Sequence, residues 1–168
     1  RGKETVYKKW NANIAILSGD ALATMALEEI LKTPTDNETV LKLISLFART
    51  SIEICEGQQF DLNFETTENV TIAEYLEMIR LKTAVMLAAC LKAGAIISQT
   101  TIENQNNIYQ YGINLGIAFQ LMDDVLDVYS DKTTFGKEIG GDIESNKKTY
   151  LYLRAMHDGT DSQRQILK

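Results

Sequence analysis

Histidine and proline are all but missing from this sequence, and cysteine is scarce. Its 168 residues contain one histidine, one proline and two cysteines. With His157 alone, and Cys55 and Cys90 far apart without CxxC spacing, there is no nitrogen–sulfur constellation for zinc or iron. Both cysteines fall within apolar helical patterns, and the expectation is two buried structural thiols in a reducing cytosol rather than a disulfide. Basic residues are outnumbered, 17 Lys and Arg against 23 Asp and Glu, for a formal charge of −6. That deficit argues against a nucleic-acid binder, which needs a basic face, and weakly against a polybasic membrane-surface protein. A local basic pocket is still compatible with it. The most apolar run, TAVMLAACLKAGAII, is interrupted by Lys92 and is too short to span a bilayer. No secretory signal opens the chain, so a cytoplasmic location is expected. Repeats, linkers and low-complexity tracts are absent too, and the length suits one domain.

What is present is helical periodicity. Apolar residues recur every three to four positions and strict alternation is nearly absent, which predicts an all-α fold, a helical bundle or part of one. A first helix is expected from Thr5 or Asn11 to Lys32, with Ile14, Leu17, Ala21, Leu22, Met25, Ala26 and Leu31 among its apolar positions; Pro34 cannot continue it. Asp36 or Asn37 can cap the next helix, and Gly57 is expected to open a polar break, GQQFDLNFETTEN. Thr71 and Glu74 offer a capping box for a helix that bends near Lys82. A further helix covers about Glu103 to Tyr129, a glycine-bearing loop follows, and a last helix begins near Lys147. The sequence starts RGKETVYKKW without methionine and stops at QRQILK in helix-forming residues, which leads us to expect a fragment.

The stretch GIAFQLMDDVLDVYSD, residues 116–131, carries the chemistry. It has the apolar content of a buried helix, yet three carboxylates interrupt it: Asp123, Asp124 and Asp127. A helix turns ~100° per residue, so Asp123 and Asp127 lie only ~40° apart and ~6 Å along the axis, with Asp124 on the flank. All three can point toward one volume, where like charges repel. A solvated outer face is one explanation. The other is a hard divalent cation at the rim of a cavity, because the apolar flanks leave only a narrow polar window and Gln120 adds an amide to the same side. Mg²⁺ takes one or two carboxylates plus the phosphate oxygens of a substrate, and the twelve-residue loop of a calcium-binding hand is missing. A phosphate-bearing substrate needs cations as well. Lys82 in RLKTAV, with the Thr83 hydroxyl beside it, Lys137 in FGKEIGGD, and Lys147 or Lys148 in ESNKKTY are candidates for an electrostatic clamp on a diphosphate. Each of these lysines taken singly reads better as a solvated surface residue, and only together with the acidic window do they describe a clamp. No Walker-type phosphate loop occurs.

GIAFQLMDDVLDVYSD followed by FGKEIGGDIESNKKTYL resembles the second aspartate-rich region of the trans-isoprenyl diphosphate synthases, or polyprenyl synthetases. AILSGDALATMALEEI, EGQQFDLNFE and LKTAVMLAACLKAGAII resemble three further blocks of that family, in the family's order. The first aspartate-rich motif, which precedes an Arg-Arg-Gly stretch, is not in this sequence; only RGK remains, with Arg1 resembling the second arginine. The resemblance thus implies an isoprenoid synthase-type helical bundle in part, residues 1–168 being the central and C-terminal part of one catalytic domain.

The activity implied is condensation of isopentenyl diphosphate with an allylic prenyl diphosphate. The allylic diphosphate ionises with Mg²⁺ assistance, the isopentenyl double bond attacks the cation, and a proton is lost. On this resemblance Asp123, Asp127 and Asp124 hold Mg²⁺, and Lys82, Lys137 and Lys147 contact the allylic diphosphate. Thr83 and Gln120 line the reacting centre with Lys82, while Phe119 and Arg1 lie near isopentenyl diphosphate. Ile113, Gly116 and Ile117 either border the prenyl-chain cavity or simply pack between helices. A homodimer is implied, and these residues alone are not expected to turn over. The rivals are a non-catalytic regulatory subunit of such a synthase, a terpene cyclase of the same fold, and a helical bundle without a ligand.

Overall fold

A computed structural model describes residues 3–129, 141–144 and 147–167, the side chains of Asp142 and Glu144 excepted. Every regular element among the described residues is helical: α1 (Val6–Lys9), α2 (Ala12–Leu31), α3 (Asn37–Phe64), α4 (Ile72–Ile79), a π-helical turn (Arg80–Ala84), α5 (Val85–Ile97), α6 (Ile102–Tyr129), α7 (Gly141–Glu144), α8 (Tyr150–Asp158) and α9 (Asp161–Ile166). The all-α expectation therefore stands.

Side-chain caps set most of the helix starts. Asp36 accepts from the Thr39 amide at 2.9 Å and opens α3. Thr71 and Glu74 form the expected reciprocal box, with the Thr71 amide on Glu74 Oε2 at 2.8 Å and the Glu74 amide on Thr71 Oγ1 at 3.2 Å. Such caps satisfy amides that have no partner within the helix. The chain reverses after α5 through Gln99, which has φ 52°, the left-handed conformation common at helix ends.

Three sequence expectations are corrected. Gly57 does not open a break, because α3 runs on without interruption to Phe64. A Cβ on Gly57 would lie 2.8 Å from Leu81 C and Leu81 Cβ and closer still to Lys82 N, so the glycine lets the π-helical turn seat against α3. Cys55 and Cys90 are free and exposed rather than buried. The buried positions of α3 include Thr50, Glu53 and Gly57, and at ~100° per residue Cys55 falls on the reverse side. Cys90 likewise sits behind the Val85–Ala88–Ala89 face of α5. The last helix starts at Tyr150 rather than Lys147, with Thr149 as its N-cap, and α9 follows Gly159.

In place of the expected bend near Lys82, the helix takes a π-helical turn, which sits at the centre of the packing. α5 and α6 run antiparallel along a seam of small residues. A Cβ on Gly116 would come 2.5 Å from Ala84 Cα, and one on Gly112 would come 2.5 Å from Ala88 Cα. Ala84, Val85, Ala88 and Ile113 form a core cluster on this seam, while Tyr75, Met78, Ile79 and Leu153 join α4 to α8 in a second one. Of the two readings of Ile113, Gly116 and Ile117, helix packing accounts for all three: Ile113 is 7% exposed in the core, Gly116 meets Ala84, and Ile117 packs against both clusters. In contrast, α2 contributes no buried residue.

Candidate active site

The π-helical turn carries Lys82 and Thr83 on adjacent residues, between the neighbouring faces of α3 and α6. Toward α6, Thr83 Oγ1 donates to Gln120 Oε1 at 3.1 Å, across 37 residues of sequence. Toward α3, Lys82 Nζ forms an ion pair with Asp61. Three residues expected at the reacting centre are therefore gathered at one level of the bundle. Asp61 was not among the expected site residues. It lies in the quoted block EGQQFDLNFE, one helical turn beyond Gly57, on the face that glycine presents to the π-helical turn.

The aspartates divide. Asp124 is 1% exposed and enclosed by protein donors. The Tyr75 hydroxyl donates to Asp124 Oδ2. The Tyr150 amide donates to the same oxygen at 3.3 Å, and Gln120 Nε2 reaches Oδ1 at 3.4 Å. Tyr150 is the first residue of α8, so the carboxylate also meets the positive end of that helix. Burial pushes the Asp124 carboxyl above the usual carboxylate range; the hydrogen bonds from Tyr75, Tyr150 and Gln120 and the charge of Lys147 oppose it. Asp127, one turn on, is 8% exposed, and its Oδ1 lies 3.9 Å from where a Cβ on Gly141 would sit. Asp123 is half-buried on the same face as Asp127.

Among the described residues, no three His, Cys, Asp or Glu side chains are grouped so as to hold a metal ion together. The three aspartates do not converge on one volume, because the Asp124 carboxylate turns inward to Tyr75 and the start of α8. The donor set still fits Mg²⁺. This ion needs only one or two carboxylates and completes its shell with water and substrate phosphate oxygens. Asp123 and Asp127 supply two, one turn apart on α6.

Lys147 and Lys148 line a small crevice with Asp61, Phe64, Glu65 and Met78. Lys147 thus comes close to the Lys82–Asp61 pair, while Lys148 Nζ sits 4.9 Å from the Tyr152 ring centre. Phe119 is 63% exposed on α6, one turn before Asp123. Arg1 and Lys137 lie outside the described residues. No helix among the described residues is long and apolar enough to cross a membrane.

A family model described as polyprenyl synthetase matches residues 1–168. A geranylgeranyl diphosphate synthase of Saccharolobus solfataricus is 41% identical over 171 residues, covering 99% of this chain and 51% of the relative. A crystal structure of a geranylgeranyl pyrophosphate synthase superposes with TM-score 0.92 at 49% identity, over 99% of this chain and 51% of that one. A polyprenyl synthase from Caulobacter crescentus, crystallised with calcium and isoprenyl diphosphate, gives TM-score 0.84 at 30% identity, over 99% of this chain and 54% of that one. The chain therefore spans about half the length of the relatives it matches. With the whole sequence matched, and with Lys82, Thr83 and Gln120 brought to one level by the same helical architecture, the chain belongs to the polyprenyl synthetase family.

Proposed function

We propose that these residues are part of a prenyltransferase that joins isopentenyl diphosphate to an allylic prenyl diphosphate. The observation that carries this reading is the meeting of Lys82 and Thr83 on the π-helical turn with Gln120 on α6, one turn before the aspartates. The allylic C–O bond breaks and diphosphate leaves with the bonding pair. The isopentenyl double bond then attacks the allylic cation, and loss of a proton restores neutrality. Charge separation is the energetic obstacle, and fixed groups aimed at developing charge lower it. Lys82, Lys147 and Lys137 are assigned to the departing diphosphate, whose charge they offset. The Thr83 hydroxyl and Gln120 carboxamide offer lone pairs to the cation, which weak dipoles stabilise without capturing it.

Asp123 and Asp127 are the side chains suited to hold Mg²⁺, with Asp124 contributing through its contacts. When bound, the ion supplies Lewis-acid stabilisation of the diphosphate oxygens. The calcium and isoprenyl diphosphate in the Caulobacter relative support this ligand class. Phe119 and Arg1 are assigned to the isopentenyl diphosphate side. A homodimer and a cytoplasmic location belong to the same proposal, on the family pattern.

The test is thermal denaturation with Mg²⁺ and a bisphosphonate that mimics the diphosphate. A ligand held at about 100 times its Kd should stabilise the fold by about 2.7 kcal/mol. Asp123→Ala should abolish the rise in melting temperature, and an unchanged rise would refute the metal assignment. Chain elongation by the full gene product, followed as labelled isopentenyl diphosphate entering longer diphosphates, tests the reaction itself.

A further inference from the structure

We infer that Tyr75 is a positioning residue: through Asp124 it fixes the direction of a hydrogen-bond chain whose far end, at Gln120 and Thr83, faces the reacting carbon. The inference deepens the prenyl-transfer reading and rests on it for the chemistry. The orientation itself rests on the geometry alone.

Four side chains from three neighbouring segments make up the chain. Tyr75 on α4 is 2% exposed, and its hydroxyl donates to Asp124 Oδ2. Asp124 Oδ1 takes Gln120 Nε2 at 3.4 Å. Gln120 Oε1 takes the Thr83 hydroxyl at 3.1 Å. A carboxylate only accepts, whereas a carboxamide has one donor end and one acceptor end, and a hydroxyl does both. Asp124 therefore dictates the sense of every later bond. Gln120 must turn its NH₂ toward the carboxylate, because the reverse orientation would set two acceptor oxygens against each other. Its oxygen then faces Thr83, which must spend its only proton on that oxygen. At the Thr83 end of the chain only lone pairs are left over, those on Thr83 Oγ1 and the second one on Gln120 Oε1, while the second Gln120 N–H stays at the Asp124 end. A site that receives an allylic cation needs this polarity, and a flipped amide would present N–H dipoles of the wrong sign.

Tyr75 secures the device at its root. The Tyr75 hydroxyl and the Tyr150 amide both bond Oδ2, which leaves Oδ1 for Gln120. Without the hydroxyl one of these holds is gone, and Oδ2 becomes available to Gln120 or to water. Tyr75 lies 49 residues from Asp124 in sequence and reads there as an ordinary core residue of α4, beside Met78 and Ile79.

The experiment uses the full gene product carrying Tyr75→Phe, which removes the hydroxyl and keeps the ring. Two measurements are made, with the melting temperature of each variant as the control for folding. The Gln120 side-chain amide is followed by ¹H–¹⁵N NMR, its signal pair assigned by its loss in Gln120→Leu. Single-turnover elongation is measured beside the KM for the allylic diphosphate. The expected result is a shifted Gln120 amide pair and a turnover rate lower by about 10–100-fold, the range for outer-shell partners, with the KM unchanged. An unmoved amide pair overturns the inference whatever the activity. So does a shifted pair with an unchanged rate, or a rate and KM that worsen in step with a falling melting temperature. Should Tyr75→Phe fail to fold, Asp124→Asn carries the same two readouts, because an amide at that position no longer imposes a direction. Failure of the unsubstituted protein to elongate would refute the prenyl-transfer reading, while the amide pair would still decide the orientation.

Discussion

Gly57 gives the sharpest test of how the site is built, since substituting it should have the opposite effect to substituting an ordinary helical glycine. A methyl group at Gly57 would sit 2.8 Å from Leu81 C and Cβ, whereas carbon atoms in contact prefer about 3.5–4.0 Å. Those neighbours belong to the π-helical turn, so relief requires that the backbone at Leu81 and Lys82 retreat by roughly 1 Å. Overpacking of this kind costs about 1–3 kcal/mol, and backbone displacement places Gly57→Ala toward the upper end. Against it stands the helix-propensity gain of replacing glycine by alanine, about 1 kcal/mol. The net loss is then up to about 2 kcal/mol, which for a domain of this size lowers the melting temperature by roughly 2–4 °C per kcal/mol. Gly19 and Gly94 also lie inside helices, but a Cβ on either meets nothing within 4 Å. Gly94→Ala should keep the propensity gain and melt higher by a few degrees, on the order of 1 kcal/mol. Urea and thermal denaturation of both variants beside the parent decide the matter. If Gly57→Ala rises with Gly94→Ala, the α3 contact is loose and the seating of Lys82 and Thr83 has another cause. If it falls, the Lys82–Asp61 pair should weaken with it.

Other consequences can be measured on the same footing. Asp124 is raised above 3.8 by burial, so its contribution to stability is fully present below that pH and is lost as pH rises through the folded value. In metal-free melts, Asp124→Asn should therefore gain stability relative to the parent from pH 3.8 upward, and a pH-independent difference would refute the burial argument. Lys82→Met removes the ammonium partner of Asp61, whose side chain is 13% exposed. Leaving a partly buried charge unpaired should cost about 1–3 kcal/mol, and a double-mutant cycle with Asp61→Asn should recover a measurable part of it. Thr160→Ala breaks the box that opens α9, where Thr160 Oγ1 accepts from the Gln163 amide at 3.4 Å. This costs about 1 kcal/mol of local helix stability, read as faster amide exchange across Asp161–Ile166.

The sequence disclosed what depends on neighbours along the chain and concealed what depends on distant ones. Asp36 and Thr71 as caps, the irregular turn at Lys82 and the long α6 all follow from patterns within a few residues. Gly57 misleads for a physical reason: glycine beside a polar run has the features of a helix end, and only the backbone of Leu81 and Lys82 explains why it sits mid-helix. Cys55 and Cys90 belong to apolar helices yet fall on their outward faces, a distinction of ~100° per residue that composition cannot register.

The aspartates show the limit most clearly. Helical geometry put Asp123, Asp124 and Asp127 within one sector, which is sound for Cα positions and silent about where each carboxylate turns. The outcome for Asp124 was set by Tyr75 and Tyr150, 49 and 26 residues away. Three buried like charges around one cation would each carry a desolvation cost, and Mg²⁺ leaves room for substrate and water only if few carboxylates crowd it. Giving one of the three to Tyr75, Gln120 and the start of α8 relieves that crowding. On the proposed mechanism, the acid turned away from the metal side is the anchor for the dipoles on the cation side.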